Sequence, residues 1–446
     1  MLTVKEAAAI LNVSPQRVVQ LLNAGQLIGQ KRAGVWLIDE HSVRSRMTLT
    51  NKQGGRPRKQ TPKLIQKYTL MNRTHEIADL EYAPELHVFS KVGSAYDSAR
   101  APLSVFDHRG HASLAAFNQW WRNRGIPNTR AHLAQLLDAA GVAVPEELLI
   151  RNLGLSLSDQ YWIRPDGSEL RWEDVNFFQN SFEAVSLATA HAAEGIDFFP
   201  HHTGAHPNNT SDGNLTKRWV IRRGRRVLIK EGGVLGQEPF NEVVATALHH
   251  RLLKKNEYVP YRLEASAVAC SCPNFLQDSE EYIPALYVMR SSPQAAGDSD
   301  YRHYLRCCEA LGVEFAEQAL WHMIVCDDLI ANTDRHFRNF GIVRDVDTLA
   351  CRPAPIFDSG TSLWCDVSLS ELKDGIPSFR SKHFEEHPGR QLLLVEDLSW
   401  VRVDKLEGFV DEAVGILAQD PMLEERLPYI RRALEHRVTR MRLICE

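Results

Sequence analysis

A run of glycine, proline and basic residues divides this chain close to its amino terminus. Residues 51–62 read Asn-Lys-Gln-Gly-Gly-Arg-Pro-Arg-Lys-Gln-Thr-Pro, a stretch with no large apolar side chain to bury. Glycine and proline interrupt helices and strands, so the run predicts a linker rather than a folded element. We therefore expect a small module over residues 1–46, a basic linker over 47–66 and a larger body after it.

The two sides of this linker carry opposite charge. Residues 1–66 hold eleven lysines and arginines against three acidic residues, a formal charge of +8, whereas the whole 446-residue chain is −4. The remaining residues therefore sum to −12. A basic module joined to an acidic body is the layout expected when one end of a protein meets the phosphates of nucleic acid.

Composition argues against membrane and secreted proteins. Hydrophobic residues make up 44% of the chain and charged residues 24%, as in globular domains. No apolar run approaches the length of a membrane span, and the amino terminus lacks the basic and then apolar pattern of a secretory signal. The eight cysteines include no CxxC pair. We expect a cytoplasmic protein with reduced thiols and no membrane partner.

The amino-terminal module is predicted to contain two helices and a two-stranded wing. Thr3 and Glu6 have the spacing of a capping box, and Ser14 and Pro15 have the pattern of a second helix start. Residues 27–38 then read as two short apolar strands joined by a basic, glycine-containing turn. Together these features predict a winged helix-turn-helix.

The module resembles the excisionase and MerR-like winged-helix family. The resemblance rests on the opening Leu-Thr-Val-Lys-Glu-Ala-Ala, the Val-Ser-Pro turn and the wing that ends at Asp39. It implies that the second helix faces bases in the major groove and that the wing faces phosphates. The implied DNA contacts are Gln16, Arg17 and Gln20 in the helix, Lys31 and Arg32 in the wing, and the AT-hook-like pair Arg56 and Arg58 in the linker. A domain used for protein contacts and a solvated linker are the alternatives.

Residues 67–200 are expected to form a mostly helical intermediate domain. The expected helices cover residues 113–124, 130–140 and 145–153. Phe117, Trp120 and Trp121 share one helix face, which we assign to the core. A group of nearby histidines could suggest a metal site, but no carboxylate or cysteine completes it locally, and we favour a loop. These histidines are His201, His202 and His206.

The second half supplies, in chain order, the groups that phosphoryl transfer from ATP requires. A polar turn before a strand offers backbone and side-chain groups for phosphate oxygens, with Ser211, Gly213 and Lys217 as the candidates. Lys230 ends the next strand, where a kinase places its phosphate-binding lysine. Glu242, in the helix that follows, is placed to pair with Lys230.

Residues 285–290 are expected to form a strand leading into an adenine-binding hinge, with Met289 beside the nucleotide. An apolar helix over about 314–331 should follow. After it, the sequence Asn-Thr-Asp-x-His-x-x-Asn-Phe begins at Asn332, and Pro-Ile-Phe-Asp-Ser-Gly-Thr-Ser-Leu begins at Pro355. An aspartate and an asparagine five residues apart on a loop can point into one pocket, and a second aspartate at the end of a strand can meet them there.

These two segments resemble the catalytic loop and the metal-binding loop of HipA-like kinases, and the resemblance spans residues 205–370. It implies that Asp334 orients or deprotonates the substrate hydroxyl. It also implies that Asn339 and Asp358 hold Mg²⁺ and that Lys230 holds the phosphates of ATP. HipA kinases generally meet their DNA-binding partner as a separate chain, so the fused winged helix departs from the family pattern.

The resulting expectation is an α+β protein: a winged helix-turn-helix, a helical intermediate domain and a bilobal HipA-like kinase fold over 201–446, with lobes at 201–292 and 293–446. The implied activity is Mg²⁺-dependent transfer of phosphate from ATP to serine or threonine in a protein target or in the chain itself, with the amino terminus at DNA. Toxin–antitoxin, defence and transcriptional roles stay open, as does a homodimer. The alternatives are a DNA-binding regulator with a degenerate nucleotide-sensing body, and a small-molecule phosphotransferase.

Overall fold

Two compact units make up the chain, residues 1–63 and residues 64–446. The computed structural model describes residues 2–11, 13–23, 27, 29–32, 35–39, 42–43, 64–127, 133, 137–138, 141–193, 205–210, 215–233, 236–265 and 269–446. The division between the units lies inside the expected linker. Most of that linker lies outside the described residues.

The described part of the amino-terminal unit includes two helices and a hairpin. They are α1 Val4–Leu11, α2 Pro15–Asn23, β1 Gly29–Arg32 and β2 Val35–Ile38, with the two strands antiparallel. The Thr3 N–H donates to Glu6 Oε2 at 2.7 Å and the Glu6 N–H to Thr3 Oγ1 at 3.3 Å, so the predicted capping box starts α1. The Arg17 N–H donates to Ser14 Oγ at 3.2 Å and starts α2. The predicted helix-turn-helix is confirmed.

A four-stranded antiparallel sheet opens the second unit, in the order β5-β4-β3-β6. Its strands are β3 Gln66–Asn72, β4 His75–Ala83, β5 Val88–Val92 and β6 Tyr161–Pro165. This sheet was not predicted, because its strands do not alternate cleanly between apolar and polar residues. Leu70 and Met71 are buried in succession across a β-bulge, and so are Ile77 and Ala78. The β3–β4 turn also lacks glycine and places Arg73 at a φ of 49° instead.

Among the residues that the structure describes, four helices accompany this sheet: α3 Leu114–Arg122, α4 Pro145–Arg151, α5 Trp172–Val175 and α6 Phe182–Ala193. The first two fall within the helices expected over 113–124 and 145–153. Phe117, Trp120 and Trp121 are buried, as expected. The helix expected over 130–140 falls mostly outside the described residues. The region expected to be mostly helical is therefore a sheet covered by helices.

In the described part of the chain that follows, two further sheets and a long helix are present. The first sheet has the order β7-β8-β10-β9, formed by β7 Lys217–Arg222, β8 Arg225–Glu231, β9 Arg262–Leu263 and β10 Ala269–Pro273. The helix α7 Glu238–Leu252 packs beside it. The second sheet has the order β11-β12-β13, formed by β11 Glu280–Pro284, β12 Gly341–Asp345 and β13 Cys351–Pro353.

A buried charged network joins β3 and β6 to β11 and β12. Arg344 Nε donates to Glu281 Oε1 at 2.7 Å, and Arg344 Nη2 donates to the Tyr161 hydroxyl at 2.9 Å. Asn72 Nδ2 donates to Glu281 Oε2 at 3.2 Å. Because these groups are buried, each depends on the others to satisfy its charge or hydrogen bonds. The network connects the first sheet to the remainder of the 64–446 unit.

The remaining helices form the largest hydrophobic core. They are α8 Ala285–Arg290, α9 Asp300–Ala310, α10 Ala316–Leu329, α11 Leu369–Asp374, α12 Pro388–Leu392, α13 Phe409–Leu417 and α14 Leu427–Cys445. Short 3₁₀ helices cover Pro84–Leu86, Pro207–Thr210, Val403–Leu406 and Pro421–Arg426. Among the described helices, none combines the length and apolar composition that a bilayer crossing requires.

The strand predicted over residues 285–290 is wrong, because these residues form helix α8. A short apolar run does not distinguish strand from helix by periodicity. Pro284 ends β11 with φ −55° and ψ 144°, and α8 begins at the next residue. The strand in this part of the chain is therefore β11, which ends immediately before the predicted position.

Candidate active site

A cleft of about 590 Å³ lies within the 64–446 unit. Strands β7, β8, β10 and β11 line it, together with the loops that follow α10 and β13 and an aromatic wall that includes Trp120 and Tyr161. Its polar lining comes from widely separated segments and includes Lys217, Lys230, Asp334, Asn339 and Asp358. The volume is in the range of sites that enclose a cofactor or nucleotide.

Lys230 lies on β8, where it is paired across the sheet with Cys270 of β10, and its side chain is buried. Its ammonium forms ion pairs with Glu242 of α7 and with Asp358. The Tyr261 ring lies beneath the ammonium, with its centroid 5.4 Å away. Burial alone would lower the pKa of Lys230, but Asp358 and Glu242 outweigh burial and raise it well above its ordinary value. Lys230 is therefore held as a cation inside the cleft.

Asp358 sits in a strained turn at the end of the apolar segment that follows β13. Its φ is 57°, in the left-handed region that residues other than glycine adopt rarely and mostly at functional sites. Burial favours the neutral acid, but Lys230 and then Lys217 hold the pKa of Asp358 well below its usual range. The side chain keeps 38% of its surface exposed to the cleft. An ionised carboxylate is thus presented to the cleft.

Helix α7 fixes the backbone around Asp358. The Ser359 N–H donates to Glu242 Oε2 at 2.9 Å, so Glu242 binds Lys230 with one oxygen and this loop with the other. Asn241 Nδ2 donates to the carbonyl oxygens of Gly360 and Ser362, both at 2.8 Å. One turn of helix therefore sets the position of both the lysine and the aspartate.

Asp334 and Asn339 belong to the loop after α10. Asn332 Oδ1 accepts from the Asp334 N–H at 3.0 Å, and Asn339 Nδ2 donates to the Asp334 carbonyl at 2.9 Å. The amide oxygen of Asn339 is therefore the atom available to a cation. The Asp334 side chain is 33% exposed, and its Oδ1 is paired with Lys382.

Arg335, which the sequence analysis did not single out, organises both loops from a fully buried position. Its Nε and Nη2 bind the two oxygens of Asp327 at 2.8 and 3.0 Å. Its Nη1 donates to the carbonyl oxygens of Asn339 (2.9 Å) and Phe357, and its Nη2 also reaches Ser359 Oγ at 3.0 Å. The only sequence signal was a charged residue beside an aspartate at the end of an apolar helix.

The carboxylate of Asp358 and the amide oxygen of Asn339 fit a Mg²⁺ ion. Mg²⁺ prefers hard oxygen ligands, commonly one or two from the protein, with substrate phosphates and water completing the shell. Both side chains line the same cleft as Lys230. Among the described residues, no group of three histidine, cysteine or acidic side chains forms a separate metal site.

The other residues that were predicted to bind ATP differ in where the structure places them. Lys217 begins β7 and lines the cleft. Ser211 and Gly213 lie outside the described residues. Met289 lies on α8 and packs against the helical core, and its carbonyl accepts from His303 Nε2 at 2.7 Å. Met289 is therefore not among the residues that line the cleft, and β11 contributes to that lining instead.

The histidine group is only partly described, since His201 and His202 lie outside the described residues. His206 packs edge-on against Phe182, with ring centroids 5.4 Å apart, and its Nδ1 accepts from the Asn208 N–H at 3.2 Å. Burial lowers the pKa of His206. These contacts are those of a packed loop residue.

The predicted DNA-contacting residues of α2 are exposed. Gln16, Arg17 and Gln20 all face solvent, and Arg17 Nη1 donates to Gln20 Oε1 at 3.0 Å. Lys31 and Arg32 lie on β1. Arg56 and Arg58 lie outside the described residues. The helix predicted to enter the groove therefore presents a polar, hydrogen-bonding face.

Comparisons with known proteins identify the amino-terminal segment. Residues 1–48 match a family described as a helix-turn-helix domain. No curated protein sequence matches the chain.

Two solved structures are similar to the larger part of the chain. One is a proinflammatory kinase of Helicobacter pylori, CtkA, with 19% identity over 51% of this chain and 89% of that chain and a TM-score of 0.39. The other is a chain of the HipA, HipB and operator DNA complex of a Shewanella oneidensis MR-1 toxin–antitoxin system, with 13% identity over 84% of this chain and 97% of that chain and a TM-score of 0.47.

Proposed function

We propose that residues 64–446 are an ATP- and Mg²⁺-dependent kinase that phosphorylates serine or threonine in a protein partner or in the chain itself. What supports the proposal is the convergence of Lys230, Asp334, Asn339 and Asp358 on one cleft. These four residues come from three separated segments, and they have the charges and polar groups that phosphoryl transfer uses.

Each group has a distinct task in the proposed reaction. Lys230 binds phosphate oxygens of ATP, and its pair with Glu242 keeps the ammonium at the end of β8. Asp358 and Asn339 hold Mg²⁺, which offsets phosphate charge when bound. Asp334 orients the attacking hydroxyl and accepts its proton as the new oxygen–phosphorus bond forms. Arg335 keeps the two loops in register, so these groups need little rearrangement before reaction.

The acceptor class rests on the resemblance of the two loops to HipA-like kinases. Enzymes that phosphorylate small molecules can use a similar arrangement of aspartates and asparagine, and this is the alternative activity. Incubation with aminoglycosides, sugars and protein extract, followed by mass spectrometry of the labelled product, separates the two classes. A degenerate nucleotide sensor is disfavoured because the lysine, both aspartates and the asparagine are all present.

Transfer of labelled γ-phosphate tests the proposal directly. The full chain with Mg²⁺ and γ-labelled ATP should label itself or a protein in a cell extract. Asp334→Asn and Lys230→Met should lower the rate by about 100-fold or more, because each removes a group aimed at the reacting atoms. Lys91→Met, at an exposed lysine on β5, is the control and should behave as the wild type. Undiminished labelling by Asp334→Asn would contradict the assigned role.

We further propose that the amino-terminal unit binds duplex DNA through α2. The match to a helix-turn-helix family, the exposed Gln16, Arg17 and Gln20, and the charge of +8 over residues 1–66 support this. Gel shifts of the full chain on a random-sequence duplex library should reveal a selected sequence. Arg17→Ala should lose about 1–3 kcal/mol of binding to it. Lys5→Ala, on the exposed side of α1, should lose less, and equal losses would argue against α2 as the reading helix.

A further inference from the structure

Lys382 makes a contact at the candidate base that the sequence analysis did not anticipate. Its ammonium forms an ion pair with Asp334 Oδ1, from 48 residues further along the chain. The Lys382 side chain is 54% exposed and that of Asp334 is 33% exposed. Asp334 lines the cleft, so the pair joins the cleft lining to a solvent-exposed side chain, where an acceptor hydroxyl would arrive.

The backbone of Lys382 is held by buried neighbours on both sides. Ser381 and His383 are buried, and the Ser381 N–H donates to the Glu386 carbonyl at 3.0 Å. Phe384 packs edge-on against Tyr301, with ring centroids 5.2 Å apart. Further ring contacts of this phenylalanine are with Tyr304, Phe337 and Phe340. The segment is therefore anchored in the core and presents Lys382 at a fixed place.

Arg380, two residues earlier, is an ordinary surface cation, and its contacts differ from those of Lys382. Its side chain is 86% exposed, and its nitrogen lies 3.7 Å from a carboxylate oxygen of the equally exposed Glu386. Exposed pairs of this kind contribute little. Lys382 instead directs its ammonium at Asp334, which lines the cleft.

Arg335 and Lys230, which organise the site, have other charge partners than Asp334. Arg335 is fully buried and uses its guanidinium for Asp327, Ser359 and backbone carbonyls. Lys230 is bound between Glu242 and Asp358. Of these three cations, Lys382 is the one that contacts Asp334 directly and has a largely exposed side chain.

We propose that Lys382 is a further catalytic residue, the cation that binds the phosphoryl group while it is transferred. This rests on the proposed kinase activity. The acceptor oxygen forms a bond to the γ-phosphorus, and the bond from that phosphorus to the β,γ-bridging oxygen breaks, so that its electron pair leaves with ADP. The hydroxyl proton passes to Asp334. The Lys382 ammonium keeps its own three protons and donates hydrogen bonds to Asp334 and to a phosphoryl oxygen.

The test compares the wild type with Lys382→Ala, Lys382→Arg and Arg380→Ala in the full chain. Initial rates of γ-phosphate transfer are measured over a range of Mg²⁺–ATP concentrations. A Lys382→Cys variant treated with 2-bromoethylamine rebuilds an ammonium at the same reach, and wild type treated in the same way controls for the native cysteines. Thermal unfolding of each variant reports whether the fold is retained.

We expect Lys382→Ala to lower kcat about 100-fold with KM for ATP unchanged, as for loss of a donor used in the transition state. Arg380→Ala should match the wild type, and aminoethylation of Lys382→Cys should restore most of the rate. Equal rates for Lys382→Ala and Arg380→Ala would overturn the inference while leaving the kinase intact. A faster Lys382→Ala would also overturn it, since the pair would then restrain Asp334. A wild type that transfers no phosphate would remove the kinase proposal and this inference together.

Discussion

Lys230 lies between two carboxylates, and its position explains how one ammonium can serve the cleft without neutralising Asp358, the proposed ligand of Mg²⁺. Glu242 binds the lysine from α7 and also accepts the Ser359 N–H. Asp358 binds the lysine from the cleft side and keeps part of its surface exposed. Glu242 therefore shares the lysine charge and leaves Asp358 able to take a second cation.

Removing the charge of Glu242 should shift the balance between Lys230 and Mg²⁺. In Glu242→Gln the ammonium has only Asp358 as a full charge partner, so it competes with Mg²⁺ for that carboxylate. We expect the Mg²⁺ concentration for half-maximal phosphate transfer to rise about tenfold, as for other changes behind a metal ligand. Glu264→Gln, which breaks an ion pair with Arg222 on the same sheet, is the control. An unchanged Mg²⁺ requirement would argue against Asp358 as a ligand.

His383, beside Lys382, should make stability depend on acidity. Burial lowers the pKa of His383 from 6.5 to about 4. As the pH falls below about 6.5, His383 takes up a proton in the unfolded chain but stays neutral in the folded chain. The free energy of unfolding therefore decreases down to pH 4, by up to about 3 kcal/mol. In His383→Leu, the urea midpoint of unfolding should depend less on pH between these two values. The exposed His436→Gln should not, and parallel curves for both variants would contradict the assignment.

At the scale of elements, the last helix is bound to the helix that carries the candidate catalytic loop. Arg437 of α14 donates to Asp328 Oδ1 of α10 at 2.6 Å, and both side chains are buried. Arg440 pairs with the other oxygen of the same carboxylate. The end of α10, and the loop that begins there, is thus supported from behind by the carboxyl-terminal helix.

Breaking this support should destabilise the unit strongly. Arg437→Ala leaves a buried carboxylate with a single, partly exposed partner, and we expect a loss of about 3 kcal/mol in the free energy of unfolding. Arg431→Ala, on the same helix, removes an exposed pair with Asp411 and should cost less than about 1 kcal/mol. Urea unfolding of both variants gives the comparison. Equal losses would show that the buried pair has no special part in stability.

At the scale of the whole molecule, the features that the sequence predicts best are those that depend on residues close together in the chain. The capping box at Thr3, the strand ending at Lys230 and the helix carrying Glu242 could each be read from a few neighbouring residues. The first sheet could not, because bulges and two-sided burial hide its period. Arg335 and Lys382 could not either, since their partners are set by tertiary contacts.

The charge asymmetry belongs to the same scale. The basic residues 1–66 and the acidic remainder correspond closely to the two compact units. Composition can reveal such a division because each unit has its own core and its own surface. It does not reveal which side chains meet in the cleft, which is where the proposed function lies.

The most direct test of the central claim is a crystal structure of the full chain with a non-hydrolysable ATP analogue and Mg²⁺. We predict the triphosphate in the 64–446 cleft, with Lys230 on its oxygens, the metal on Asp358 and Asn339, and Asp334 facing the γ-phosphate. A nucleotide bound elsewhere, or a metal that touches neither Asp358 nor Asn339, would contradict the account.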